Sequence, residues 1–135
     1  IMIDNVVFSS INDLSSELID NCVSFVSKFE KSKEKTIAYI YDYFGKKEEK
    51  ENIKNFVMIL KYYYRDILNY KLFKKVEHFS NYSDKIEDIA NKRSEKYLTN
   101  ILKILVKEEN MLEYNLNLGL FLDKLIIEMG RVKNE

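Results

Sequence analysis

Residues 53–73 read IKNFVMILKYYYRDILNYKLF, and this stretch decides the fold. Apolar side chains recur along it three and four positions apart, which is the spacing of a helix. One stripe comprises Ile53, Phe56, Val57, Leu60, Tyr64, Ile67 and Leu68, and a second comprises Ile59, Tyr63, Tyr70 and Phe73. A helix that is apolar on more than one face is usually central in its bundle or shared with another chain. We therefore predict a long helix from about Lys47 to Lys74, about 40 Å in length.

The segments before this helix predict two more. The first runs from about Asn12 to Lys31, and its stripe is Leu14, Leu18, Ile19, Cys22, Phe25, Val26 and Phe29. Ser32 can cap a second helix, and Gly45 can end it. The stripe of that second helix is Ile37, Ile40, Tyr41 and Phe44. The charged run 46–51 predicts a solvated first turn or linker.

The segments after the long helix begin with an expected loop, Lys75–Tyr82. Ser83, Ser94 and Asn117 are each placed to cap one further helix, because their side-chain oxygens can accept an orphaned amide hydrogen. The buried stripes of these helices are Ile86, Ile89 and Ala90; Leu98, Ile101, Leu102, Leu105 and Leu112; and Phe121, Leu122, Leu125, Ile126 and Met129. The last helix should run from Leu118 to about Arg131. We predict an all-α fold: one compact bundle of five to six helices, a single domain over residues 1–135, with ordered helices over about 12–131.

Composition agrees with a helical domain and excludes several other classes. The chain has 135 residues, no proline and three glycines, so it lacks the turn residues of a β-sandwich or barrel. Hydrophobic residues make up 46% and charged residues 33%, which is typical of globular and not of disordered chains. The 22 basic residues balance the 22 acidic ones, so strong binding to a phosphate backbone is not expected.

The sequence offers little for catalysis or metal binding. The single cysteine, Cys22, lies on an apolar stripe and predicts a small core residue in a reducing compartment. The single histidine, His78, falls in the expected loop and predicts a solvated side chain. Glycines are too far apart for a phosphate loop. Glu48, Glu49, Glu108 and Glu109 lie in charge-rich stretches that normally face water. A Ser-His-Asp constellation assembles only in space, and no pattern points to one, so we predict neither an enzyme nor a cofactor or metal.

No apolar run reaches the length of a membrane span, and the first residues do not resemble a secretory leader. We therefore predict a cytoplasmic protein. The first residue is Ile1 and not methionine, which predicts that the chain is part of a longer one.

Asp66 lies on the second stripe of the long helix, between Tyr63 and Tyr70. An unpaired carboxylate there is costly, so we expect a tyrosine hydroxyl or an arginine as its partner inside a helix junction. The alternative is a subunit interface, where tyrosine and arginine are enriched. The candidate interface residues are Ile59, Tyr62, Tyr63, Arg65, Asp66, Tyr70 and Phe73.

Three of these features together resemble the C-terminal collar domain of a bacterial DNA polymerase III clamp-loader subunit, most closely delta-prime. The first is an aromatic-x-Arg-Asp-Leu/Ile-Leu pattern, here Tyr63–Leu68, and the second is the pair of helices expected at Asp84–Arg93 and Glu95–Tyr114. The third is Asn115–Asp123, NLNLGLFLD, which is similar to the family's Asn-x-Asn-Pro-x-Leu-x-Leu-Glu. Within it, Leu118 replaces the proline and Asp123 the glutamate. The likeness covers roughly residues 12–130.

The resemblance implies a function through assembly. In such clamp loaders, five subunits join through their C-terminal helical domains into a collar, and ATPase-type N-terminal modules hang from it to open the sliding clamp. Those modules are absent here, so this stretch should neither bind nor hydrolyse ATP. Its implied partners are the delta and gamma/tau subunits in a hetero-pentamer, with DNA and the sliding clamp reached only indirectly. No small-molecule ligand and no membrane contact is implied.

Two other functions remain open from the sequence. One is a free-standing helical adaptor or regulator without catalytic activity. The other is a nucleic-acid binder that stacks bases on its tyrosines, with Lys61, Arg65, Lys71 and Lys74 as flanking cations. Asp66 and the apolar stripes argue against the second of these.

Overall fold

The computed structural model describes residues 16–33, 50–114 and 117–135, and the regular structure in these ranges is helical, without strands. Their five α-helices are α1 Ser16–Lys31, α2 Lys50–Phe73, α3 Ser83–Lys92, α4 Glu95–Met111 and α5 Leu118–Gly130. A 3-10 turn at Ser80–Tyr82 leads into α3. The predicted all-α bundle is confirmed. The helix expected after Ser32, the start of the first helix at Asn12 and the charged residues 46–49 lie outside the described ranges.

Helix α2 is the centre of the bundle, as its two apolar stripes predict. It packs against α1, α3 and α4, and α4 also packs against α5. Rings from α1 and α2 meet in the core, where Phe25 and Phe56 lie edge to face at 5.1 Å. Because neighbouring helices cover both stripes, Ile53, Ile59 and Tyr63 are all fully buried.

The C-terminus of α2 is closed by a left-handed residue. Lys74 has φ 59°, and its backbone N–H donates to the carbonyl of Tyr70 at 2.8 Å. This is the αL form of helix C-cap, a position that glycine usually occupies. It ends α2 at Phe73 and turns the chain into the segment 74–79, so the expected loop starts one residue earlier than predicted.

Helices α2 and α4 are antiparallel, and three lysines of α2 mark the register. Lys50 Nζ donates to the carbonyl of Tyr114 at 3.3 Å. Lys54 pairs with Glu113 at 3.5 Å, and Lys61 pairs with Glu109 at 2.8 Å. Residue numbers therefore rise along α2 in the direction in which they fall along α4, and Tyr114 lies beside the N-terminus of α2.

Of the three caps predicted after the long helix, two are confirmed. Ser94 Oγ accepts from the backbone N–H of Tyr97 at 3.0 Å, and Asn117 Oδ1 accepts from that of Leu120 at 3.0 Å. The prediction that Ser83 caps α3 is wrong, since its hydroxyl donates to the carbonyl of Ser80 at 2.6 Å. The 3-10 turn runs directly into α3, so Ser83 already has helical backbone angles, whereas an N-cap residue has non-helical ones.

Candidate functional site

The candidate interface residues do not form one exposed surface. Ile59, Tyr62, Tyr63 and Asp66 are buried in the chain's own core, so these four predicted interface residues offer no exposed surface to a neighbouring subunit. The physical reason is that α3, α4 and the segment 74–79 cover the second stripe of α2. Arg65 and Tyr70 are half-buried, and only Phe73 is largely exposed, at 66%.

Burial of the tyrosines also bears on nucleic-acid binding. The rings of Tyr62, Tyr63 and Tyr64 are all inside the core, where they cannot stack on bases. Tyr63 instead packs edge to face against Phe79 at 5.5 Å. Burial is also the main reason why the pKa values of Tyr63 and Tyr64 lie above the ordinary tyrosine value. The three consecutive tyrosines therefore offer no stacking surface to nucleic acid.

Asp66 is held by backbone amides. Its Oδ2 accepts from the N–H of His78 at 2.9 Å and from that of Phe79 at 2.8 Å. The expectation of a tyrosine or arginine partner is wrong. The segment 74–79 folds back over α2, and its backbone amides occupy the position that a side-chain donor was expected to take. Oδ1 of the same carboxylate is buried and has no hydrogen-bond partner. Burial raises the pKa of the Asp66 carboxyl, and the backbone amides of Phe79, His78 and Glu77 and the charge of His78 act in the opposite direction.

His78 lies in the predicted loop, but its side chain is not solvated. The imidazole is half-buried and packs edge to face on Tyr62 at 5.9 Å. Its Nε2 lies 3.7 Å from Oε2 of Glu77. One potential ligand atom from each of Asp66, Glu77 and His78 lies within 4.8 Å of the other two. The loop thus brings an imidazole and two carboxylates to one point on α2.

Glu30 is a second carboxylate inside the fold, at the end of α1: the residue is half-buried, and its side chain is 7% exposed. Both its oxygens accept from the hydroxyl of Tyr97, one of them at 2.8 Å. Arg93 Nε lies 3.4 Å from the Glu30 carboxylate, and its Nη2 donates to the Glu30 carbonyl at 3.1 Å. The Arg93 guanidinium also lies 4.8 Å from the centre of the Tyr97 ring. This cluster joins α1 to the α3–α4 junction. Burial raises the pKa of Tyr97, and the charge of Glu30 raises it further.

Glu108 is a third buried carboxylate, and the prediction that it faces water is wrong. It lies 3.5 Å from Lys107 Nζ and 3.4 Å from Lys124 Nζ. The same two lysines pair with Glu128, at 3.1 and 3.6 Å. Because Lys107 is in α4 and Lys124 and Glu128 are in α5, the four charges join these two helices. The neighbouring Glu109, also predicted to face water, is half-buried and bound by Lys61.

Sequence analysis missed Glu30 and the true setting of Glu108, although the pattern carries a signal for both. Glu30 follows Cys22 and Val26 at four-residue steps, and Glu108 follows Ile101 and Leu105 along the buried stripe of α4. A carboxylate that continues an apolar stripe predicts a buried charge with a partner from another element. Cys22 is buried as predicted, and burial raises the pKa of its thiol far above the ordinary value.

Exposed apolar side chains lie at the two ends of α2. Leu72 and Phe73, the Phe73 patch, are 44% and 66% exposed at its C-terminus. The Leu120 patch comprises Tyr114, 64% exposed at the end of α4 beside the N-terminus of α2, and Leu120, 67% exposed in the first turn of α5. The span of α2 separates them by about 35 Å, at roughly 1.5 Å per residue. Val106 and Ile127 are exposed on α4 and α5, outside both patches.

Comparison with known proteins gives no match: no family model, no curated protein and no solved structure is significantly similar to this chain. The resemblance to a clamp-loader collar therefore depends on the sequence motifs and on where they lie. In the described part of the chain, no helix is long and apolar enough to cross a lipid bilayer.

Proposed function

We propose that this chain is the collar domain of a DNA polymerase III clamp-loader subunit of the delta-prime type, and that it holds the subunits of the loader together. The observation that carries the proposal is the placement of the three motifs. Tyr63–Leu68 lies in the middle of the central helix, Ser94 caps the second of two consecutive helices, and Asn117 caps the last helix. This is the order of elements that the resemblance implies.

The proposed partners are the delta and gamma/tau subunits, in a hetero-pentamer that loads the sliding clamp during DNA replication in the cytoplasm. A member of a closed ring of unlike subunits needs two different faces, one for each neighbour. The Phe73 patch and the Leu120 patch differ in composition and lie at opposite ends of α2. They are the surfaces that we assign to the two neighbours.

The buried charges support a structural role. Glu30, Asp66 and Glu108 each join two parts of the fold, and removing one partner of a buried charge is strongly destabilising. Such joints fix the helices of the bundle relative to one another, as a ring contact requires. The equal numbers of basic and acidic residues, 22 of each, agree with a domain that meets DNA only through its partners.

Pairwise binding measurements test this assignment. The chain and two variants, Phe73→Ser and Leu120→Ser, are titrated separately with purified delta and gamma/tau subunits from the same organism. Each variant should weaken binding to one partner by roughly tenfold or more and leave the other affinity unchanged, because an interface anchor is worth more than 1 kcal/mol. Ile127→Ser makes the same kind of change outside both patches and should bind both partners normally.

Two outcomes would contradict the proposal. If the unaltered chain binds neither subunit, the free-standing adaptor becomes the better account. If it binds both but Phe73→Ser and Leu120→Ser leave both affinities unchanged, the two patches are not the ring contacts.

A further inference from the structure

One buried carboxylate oxygen, Oδ1 of Asp66, accepts no hydrogen bond, and its residue lies beside two other residues of metal-binding type. Asp66 Oδ1 accepts no hydrogen bond, although the residue is fully buried and Oδ2 of the same carboxylate accepts two. Burying a carboxylate oxygen that accepts no hydrogen bond is costly. A cation bound at this oxygen would offset that cost.

The neighbours of Asp66 are the residue types that bind transition metals. His78 supplies an imidazole and Glu77 a second carboxylate, and their ligand atoms and that of Asp66 lie within 4.8 Å of one another. Zinc binds histidine nitrogen and carboxylate oxygen, and its catalytic sites combine three protein ligands with a water in the fourth position. Ions such as Ca²⁺ and Mg²⁺ prefer oxygen ligands alone.

The distance between His78 and Glu77 also fits a shared ion better than a direct hydrogen bond. His78 Nε2 and Glu77 Oε2 are 3.7 Å apart, too far for a hydrogen bond. Two ligands on one tetrahedral zinc ion, each about 2.1 Å from the metal, are separated by about 3.4 Å. The Glu77 side chain is 56% exposed, so it can move the remaining distance without disturbing the core.

The surrounding contacts already orient two of the three ligands. The amides of His78 and Phe79 hold Oδ2 of Asp66, and the Tyr62 ring packs against the imidazole of His78. Ligating carboxylates in metal sites are commonly held by such hydrogen bonds. From these observations we propose that Asp66, Glu77 and His78 bind one divalent transition-metal ion of the zinc type. The bound ion fastens residues 74–79 onto α2, directly after the Phe73 patch.

The test uses the fact that the chain contains one histidine, so its imidazole resonances belong to His78 without further assignment. The full chain is titrated with ZnCl₂ while the imidazole signals are followed by NMR, and the stoichiometry is measured by calorimetry. We expect a shift of the His78 signals that is complete at one equivalent of Zn²⁺. CoCl₂ in place of zinc should give the intense visible absorption of a low-coordinate Co²⁺ site.

Glu77→Gln removes one ligand at an exposed position and should not affect folding. It should raise the Kd for Zn²⁺ by at least about tenfold, since even weaker changes around a metal site cost that much. Glu113→Gln is the matched control, because Glu113 is exposed and pairs with Lys54 near the other end of α2. It should bind Zn²⁺ as the unaltered chain does. Asp66→Asn provides a second ligand variant if its melting curve shows that it folds.

Either of two results overturns the proposal. One is that the His78 signals do not shift at one equivalent of Zn²⁺. Asp66 Oδ1 would then need a different partner, such as the hydroxyl of Tyr63. The other is that Glu77→Gln binds Zn²⁺ with an unchanged Kd, which would mean that His78 binds the metal alone. The site is independent of subunit assembly, so failure here leaves the proposed function untouched.

Discussion

Replacing Tyr97 with phenylalanine isolates the contact that fixes α1 to α4. The substitution removes only the hydroxyl, while the ring stays in place under Arg93 and Lys33, which lie 4.8 and 4.4 Å from its centre. Glu30 then loses the donor shared by its two oxygens and retains Arg93 Nε at 3.4 Å. Hydrogen bonds to charged groups are worth about 1.5–3 kcal/mol. We expect Tyr97→Phe to lower the free energy of unfolding by about that amount.

This loss corresponds to a clear change in melting temperature. Unfolding entropies of roughly 2 cal/mol/K per residue mean that a chain of 135 residues shifts by about 3.5 °C for each kcal/mol. Tyr97→Phe should therefore melt about 5–10 °C below the unaltered chain by circular dichroism. Tyr114→Phe, at a position 64% exposed, is the control and should melt normally. Equal melting temperatures for Tyr97→Phe and the unaltered chain would refute the assignment of Glu30 as a buried carboxylate that depends on Tyr97.

Three further predictions concern stability. Asn117→Ala should lower the free energy of unfolding by roughly 0.5–2 kcal/mol through loss of the α5 cap; an unchanged denaturant midpoint would mean that α5 begins elsewhere. Glu108→Leu should be at least as stable as the unaltered chain, because an apolar residue replaces a buried ion and leaves two exposed lysines; a loss above about 1 kcal/mol in urea would contradict this. Burial and the charge of Glu30 raise the pKa of Tyr97 in the folded state. As the pH rises, the unfolded chain therefore loses the Tyr97 proton before the folded chain does. The stability that the protonated hydroxyl contributes is present below about pH 10 and is lost at higher pH. Tyr97→Phe should reduce the alkaline slope of stability by about 1.4 kcal/mol per pH unit, and an unchanged slope, measured by denaturation at several pH values, would count against the raised pKa.

Helical periodicity predicted most of the fold because each helix carries its own pattern. The two stripes of α2 predicted a central helix, and Ser94 and Asn117 predicted helix starts from a side chain and the adjacent backbone alone. Ser83 failed as a cap because the 3-10 turn before it could not be recognised from a three-residue pattern. Local signals were therefore sufficient for the elements but not for their junctions.

The partners of the buried charges could not be predicted in the same way. Glu30 meets Tyr97, which is 67 positions later, and Asp66 meets amides 12 and 13 positions later. The sequence shows that a carboxylate continues an apolar stripe, but the tertiary fold decides which donor reaches it. The burial of Ile59, Tyr63 and Asp66 could not be predicted for the same reason, since this chain itself covers most of the second stripe of α2 and leaves Phe73 exposed.

The central claim is that this domain assembles with clamp-loader subunits, and the mass of the complex tests it most directly. Size-exclusion chromatography with light scattering is run on the chain alone and then on its mixture with delta and gamma/tau subunits from the same organism. The account predicts that the chain co-migrates with both partners in one complex of defined mass. A chain that elutes at its monomer mass in the presence of both partners would contradict it.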